Sequence, residues 1–267
     1  MDNRPIGFMD SGVGGLSVVK IAHQKLPNEE VVFIGDEANM PYGPRSTEEV
    51  IKLARHMAHF LIKKNAKAIV IACNTATTAA YHILKEELDV PVIGVIEPGS
   101  LSATKTTKNN KVGIIATKGT IKSDIYPKTI HSINHKIDTY PLACQDFVQI
   151  VENNAANTKE TQELVDKQMA DLQKNQIDTL VLGCTHFPLL EKPIQKAFGD
   201  KVKLVDPGVE TVHQLNEVLK ENDMYHDPKV PVHDHYYVTA HAKSFSEIGK
   251  AFLNEDVTAQ LVNIEND

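Results

Sequence analysis

Ala68-Ile69-Val70-Ile71-Ala72-Cys73-Asn74-Thr75-Ala76-Thr77-Thr78 decides the fold class. Ile69, Val70 and Ile71 form a short apolar run that reads as a buried parallel strand. The run breaks into Asn74 and Thr75, residue types that cap helices, and continues as the helix-like Ala79-Ala80-Tyr81-His82-Ile83-Leu84. Cys73 therefore lies where a strand hands over to a helix. In open α/β sheets that carboxyl end of the strand is where ligands bind, and a helix N-terminus favours a thiolate. Thr179-Leu180-Val181-Leu182-Gly183-Cys184-Thr185-His186-Phe187-Pro188-Leu189-Leu190 repeats the plan, with Pro188 permitted in a first helical turn. The plain alternative is two buried thiols, because free cysteine is among the most buried residue types. Two at matching turns make that the weaker reading.

Working outward, Ile6-Gly7-Phe8-Met9-Asp10 reads as a first strand, followed by Ser11-Gly12-Val13-Gly14-Gly15-Leu16-Ser17. This is a partial G-x-G-x-x-G pattern, but Asp10 would set a negative charge beside a pyrophosphate. A smaller anion, such as a carboxylate, suits the loop better. A helix from Val18 to Leu26, a strand Val31–Asp36, a rigid turn Met40–Ser46 and an amphipathic helix Glu48–Lys64 follow, with Ser46 or Thr47 as cap. Val90–Pro98 reads as a fourth strand, and Ser100–Asn110 as a helix or crossover at a domain boundary. Val112–Thr117 then restarts the Ile6–Asp10 pattern. Gly7 to Cys73 spans 73 − 7 = 66 positions and Gly113 to Cys184 spans 184 − 113 = 71. That near-equality predicts a duplication. Further on come a strand Lys136–Leu142 leading to Cys144, a helix Thr161–Lys174, a strand Val202–Pro207 and a helix Val209–Leu219. A loop over 227–235, a strand Tyr236–Thr239 and a helix Phe245–Leu253 close the chain. The predicted architecture is two similar open α/β domains with mainly parallel sheets, residues 1–97 with 209–267 and residues 98–208.

With 267 residues, 42% hydrophobic and 24% charged, the composition is that of an ordinary globular protein. A net charge of −7 and a pI near 5.9 provide no basic field for nucleic acid or an anionic membrane. No apolar run is long enough to span a bilayer, and Met1-Asp2-Asn3-Arg4-Pro5 lacks a signal-peptide core. Three cysteines, an odd count, do not make a disulfide framework, so the cytoplasm is expected. His226, His233, His235 and His241 are spaced too irregularly for a metal site and read as an exposed loop.

Phe8-Met9-Asp10-Ser11-Gly12-Val13-Gly14-Gly15, Pro41-Tyr42-Gly43, Ala72-Cys73-Asn74-Thr75-Ala76 and Leu182-Gly183-Cys184-Thr185-His186-Phe187-Pro188 together resemble the glutamate racemases of the cofactor-independent aspartate/glutamate racemase superfamily. The resemblance implies two α/β domains facing each other across a cleft, with pseudo-twofold duplication. It implies Cys73 and Cys184 as the proton-transferring pair, Asp10 and His186 as supporting residues, and Glu152 as a further acidic participant. Substrate contacts are implied from Asp10, Ser11, Pro41, Tyr42, Gly43, Asn74, Thr75, Thr185 and His186. Gln145 departs from the proline often found after Cys144. A bacterial enzyme supplying D-glutamate for peptidoglycan and cell shape, often a homodimer, is also implied.

These residue types suit the chemistry. Racemising an α-carbon removes a proton from one face and returns one to the other, which two thiols can do if one starts as thiolate. Glutamate carries two carboxylates into an acidic protein, so loop N–H groups at Ser11–Gly15 and Tyr42-Gly43, and the helix starts at Asn74-Thr75 and Thr185-His186, must hold it. No lysine sits in a recognisable pyridoxal phosphate context, and no cofactor or metal is expected. Three alternatives stand beside this reading: an aspartate racemase, a zinc site from Cys73, Cys184, His186 and Asp10, and a non-catalytic amino-acid-binding protein.

Overall fold

The computed structural model describes residues 1–153 and 155–264. The strands are β1 Ile6–Asp10, β2 Val31–Gly35, β3 Ala68–Ile71, β4 Val92–Gly94, β5 Lys111–Ala116, β6 Asp138–Ala143, β7 Thr179–Gly183, β8 Lys203–Val205, β9 His235–Val238 and β10 Ala259–Leu261. Two compact units form. Met1–Val95 and the chain from Thr211 onward make the first, and Ile96–Glu210 the second. No described helix is long and apolar enough to cross a membrane.

Every strand pairing in both units is parallel. The first unit has strand order β10-β9-β2-β1-β3-β4, and the second β6-β5-β7-β8. Removing β9 and β10 leaves β2-β1-β3-β4, the same order as the second sheet. The duplication read from the cysteine spacing is thus a duplication of topology, with β9 and β10 belonging to the first unit alone.

Strands β1, β2, β3 and β7 are buried along their whole length because helices cover both faces of a parallel sheet, whereas the edge strands β6, β8 and β10 are partly exposed. Phe8 and Val70 point into one cluster with Leu16, Leu215 and Phe245. Their neighbours Met9 and Ile71 point into another with Ile34, Met57 and Leu61. The period of two along a strand produces that alternation. In the second unit Ile115 and Leu182 face one cluster, and Ile114 and Val181 the other. Helix Thr47–Lys63 presents Val50, Leu53, Ala54, Met57, Ala58 and Leu61 to the core, and the Ser46 hydroxyl caps it by accepting from the Glu49 N–H at 3.2 Å.

Three expectations change. The fourth strand is only Val92–Gly94, and from Ile96 the chain is helical to Thr106. The apolar run continued unbroken across this switch, and Pro98 in a first turn does not oppose a helix. Helices Lys118–Ser123 and Ile125–Ile133, and strand β10, were not anticipated. Finally, His226 is buried at 3% exposure, with its N–H donated to Glu29, and does not belong to an exposed loop. Glu29 also pairs with Lys67, whose ammonium is fully buried and donates to the carbonyls of Asp2 and Met224 at 2.7 Å each.

Candidate active site

Cys73 follows β3 by one residue and serves as the N-cap of helix Asn74–Glu87. Its sulfur accepts the Ala76 N–H at 3.4 Å and lies 3.8 Å from the Ser11 hydroxyl. A backbone donor and a helix N-terminus both stabilise negative charge on that sulfur. Cys73 is 6% exposed, and Asn74 and Thr75 beside it are buried.

Asp10 ends β1 next to it, fully buried. Its Oδ1 accepts the Ser11 N–H at 2.8 Å, so that member of the expected N–H cradle is already engaged. The glycine stretch has a packing cause. A Cβ on Gly15 would meet Asp10 Cβ at 2.5 Å and the Phe33 ring at 2.9 Å. Glycine is required there for close approach to the strand end, with no appeal to a dinucleotide.

Tyr42 follows the cis Met40–Pro41 bond and turns inward, 1% exposed. Its phenol donates to Asp36 Oδ2 at 2.6 Å. Burial first, and then the charges of Asp36, Cys73 and Asp10, hold that phenol well above its ordinary range. With the side chain committed to Asp36, the backbone is what Tyr42 and Gly43 have to present to a ligand. Asp36 carried no role in the sequence reading beyond ending a strand.

The second unit repeats the handover. Cys184 follows β7 directly, 7% exposed, with Thr185 and His186 buried beside it. Its sulfur is 3.8 Å from His186 Nδ1, and His186 Nε2 bonds Glu152 Oε1 on helix Asp146–Glu152. Burial opposes a charged ring. Hydrogen bonds and charge from Cys184 and Glu152 outweigh it and raise His186 well above the ordinary histidine range. One ring nitrogen thus faces a sulfur and the other a carboxylate, an arrangement that favours the protonated ring. Asp10, Ser11, Tyr42 and Cys73 thus gather in the first unit, and Cys184, His186 and Glu152 in the second.

Cys144 stands apart chemically. Burial, then the charges of Asp146 and Cys184, push its thiol up to about 12, so it stays protonated. Among the described residues, His23, Asp234 and Glu255 are the three groups close enough to suggest a metal. His23 Nε2 faces Asp234 at 2.8 Å while Nδ1 faces Glu255 at 3.2 Å. One cation cannot take both ring nitrogens, and a doubly paired histidinium explains the arrangement.

Two buried thiols at the same point of a duplicated parallel α/β unit, each beside its own polar partners, define a thiol-based α/β protein. The family model for Asp/Glu/hydantoin racemases matches residues 16–215. A glutamate racemase from Pediococcus pentosaceus is 57% identical over 99% of this chain and 100% of its own length. The crystal structure of a Bacillus anthracis glutamate racemase isoform is 38% identical with a TM-score of 0.95, covering 98% of both chains. That of the Francisella tularensis enzyme with D-glutamate is 35% identical with a TM-score of 0.93, covering 100% of both. The chain belongs to the Asp/Glu/hydantoin racemase family and is an isomerase of the glutamate racemase type.

Proposed function

We propose that this enzyme interconverts L- and D-glutamate without a cofactor, with Cys73 and Cys184 as the two bases, one for each face of the α-carbon. The observation that carries the reading is the matched placement of the two sulfurs. Each begins the segment after a core strand, and each has polar groups beside it. Asp10, hydrogen-bonded to Ser11 beside Cys73, serves that half. The Glu152–His186 pair serves Cys184, its imidazolium stabilising the sulfur as thiolate and delivering the proton it needs as thiol. The backbone at Ser11, Pro41, Tyr42 and Gly43, with Asn74, Thr75 and Thr185, holds the two carboxylates and the ammonium. Resemblance and relatedness support the rest: action in the cytoplasm as a homodimer, supplying D-glutamate for peptidoglycan.

The test follows optical rotation of D-glutamate and D-aspartate with purified enzyme. The expected result is racemisation of glutamate with kcat/KM at least about tenfold above aspartate, the lower end of what one methylene allows. Equal or inverted preference would replace the substrate, and binding of both without inversion would replace the enzyme with a binder.

A further expectation separates Cys144 from the pair. As a buried, protonated thiol it should resist alkylation at neutral pH, and Cys144→Ser should keep most of the racemase activity. A fall in turnover comparable with that of Cys73→Ala, in a folded variant, would place Cys144 in the chemistry.

A further inference from the structure

We infer that Thr239 is a positioning residue for the Pro41-Tyr42-Gly43 turn, acting through the buried carboxylate of Asp36. The inference rests on the reading above, in which that turn holds the substrate. Asp36 is fully buried at the carboxyl end of β2, its N–H donated to the Asp10 carbonyl at 3.0 Å. Its two oxygens divide their work. Oδ2 receives the Tyr42 phenol at 2.6 Å, while Oδ1 receives the Thr239 hydroxyl at 2.7 Å and Asn39 Nδ2 at 3.1 Å.

The Thr239 hydroxyl also accepts the Ala38 N–H at 2.9 Å, and the Thr239 N–H is donated to the Gly35 carbonyl at 3.1 Å. One hydroxyl therefore fixes both the carboxylate that holds Tyr42 and the start of the loop that carries it. The far end of the loop is tied by Arg45, whose N–H donates to the Tyr42 carbonyl and whose Nε donates to the Asn39 carbonyl.

The duplication shows that the fold itself does not require this hub. Asp10 aligns with Gly35 and Ala116 with Ala143 at the ends of the paired central strands. The residue after each, Asp36 or Cys144, donates its N–H to the same neighbour, the Asp10 or the Ala116 carbonyl. The second unit thus builds the same four-strand order with a neutral thiol at the position where the first has a carboxylate. A carboxylate there serves the Tyr42 turn. Thr239 reaches it from the end of β9, one of the two strands of the first unit with no counterpart among the described residues of the second.

Because the turn would contact substrate in ground state and transition state alike, loosening it should raise KM and leave kcat nearly unchanged. Thr239→Val keeps the shape and removes the hydroxyl. The expected result is an increase in KM for glutamate of about tenfold, the factor associated with one unmade buried hydrogen bond, with kcat within about threefold of wild type. Thr239→Ser should restore KM. All measurements are made well below each variant's melting temperature, so that general destabilisation does not contribute, and Thr239→Ala replaces the valine variant if that one fails to fold. Native KM in the valine or alanine variant, equal impairment of the serine variant, or loss confined to kcat would overturn the inference while leaving the functional reading intact. Wild-type enzyme unable to racemise glutamate would overturn both.

Discussion

Cys184→Ala is expected to lose inversion of glutamate by at least about 10²-fold, the lower end of what a positioned proton-transfer group contributes. It should still exchange the α-proton of one enantiomer with solvent. A single remaining thiol can remove a proton from the face it serves and return one to that face, but no group is left to protonate the other. The resemblance implies that Cys73 faces the α-proton of D-glutamate and Cys184 that of L-glutamate, so in deuterium oxide Cys184→Ala should exchange D-glutamate faster than L-glutamate, and Cys73→Ala should show the opposite bias. The two half-sites also predict unequal residual rates. Cys73 has its sulfur capped by a backbone N–H, whereas Cys184 faces the His186 ring. Mass spectrometry of deuterium incorporation against time reads the bias directly. If both variants exchange the same enantiomer faster, or either racemises at the native rate, the two-base assignment fails.

The largest stability effect should come from a residue with no part in the chemistry. Lys67 is fully buried and pairs with Glu29, itself 4% exposed, at 2.6 Å. Lys67→Met removes the cation, leaves a carboxylate buried without its partner and strips a donor from the Asp2 and Met224 carbonyls. Breaking a buried pair from one side costs about 3–5 kcal/mol. In a unit of this size that corresponds to a fall in Tm of roughly 6–20 °C. The double variant Lys67→Met/Glu29→Gln should recover a large part of the loss, because the uncompensated charge is gone. Calorimetry of the single and double variants decides it. A single variant within about 1 kcal/mol of wild type, or a double no better than the single, would show that the pair carries little.

The parts legible in the sequence were those set by short-range rules. β1, β3, β5 and β7 are short apolar runs because both faces are covered. Cys73 and Cys184 were visible at the handover because Asn74-Thr75 and Thr185 signal a helix start. Elements whose signal was local but ambiguous were misread. Val95 and Ile96 extended an apolar run beyond β4 into a helix, and Ala259-Gln260-Leu261 is too short and too exposed to announce a strand. The hub around Asp36 could not be read at all, since Thr239 lies 203 positions away and meets it only through the β2–β9 register. Likewise, the equivalence of Asp36 and Cys144 emerges from pairing order, and nothing in the residues flanking them suggests it.

The placement of β9 also fixes the order in which the ribosome can complete the molecule. All of Ile96–Glu210 is available to fold before β9 has been synthesised, whereas β2 must wait for it. At typical elongation rates of about 5–20 residues per second, that wait lasts roughly 10–40 s. Throughout it, Val31–Gly35 offers one unpaired edge of an apolar strand, the feature through which nascent chains associate with one another. That edge of β2 is covered once the segment carrying β9 has emerged and paired with it.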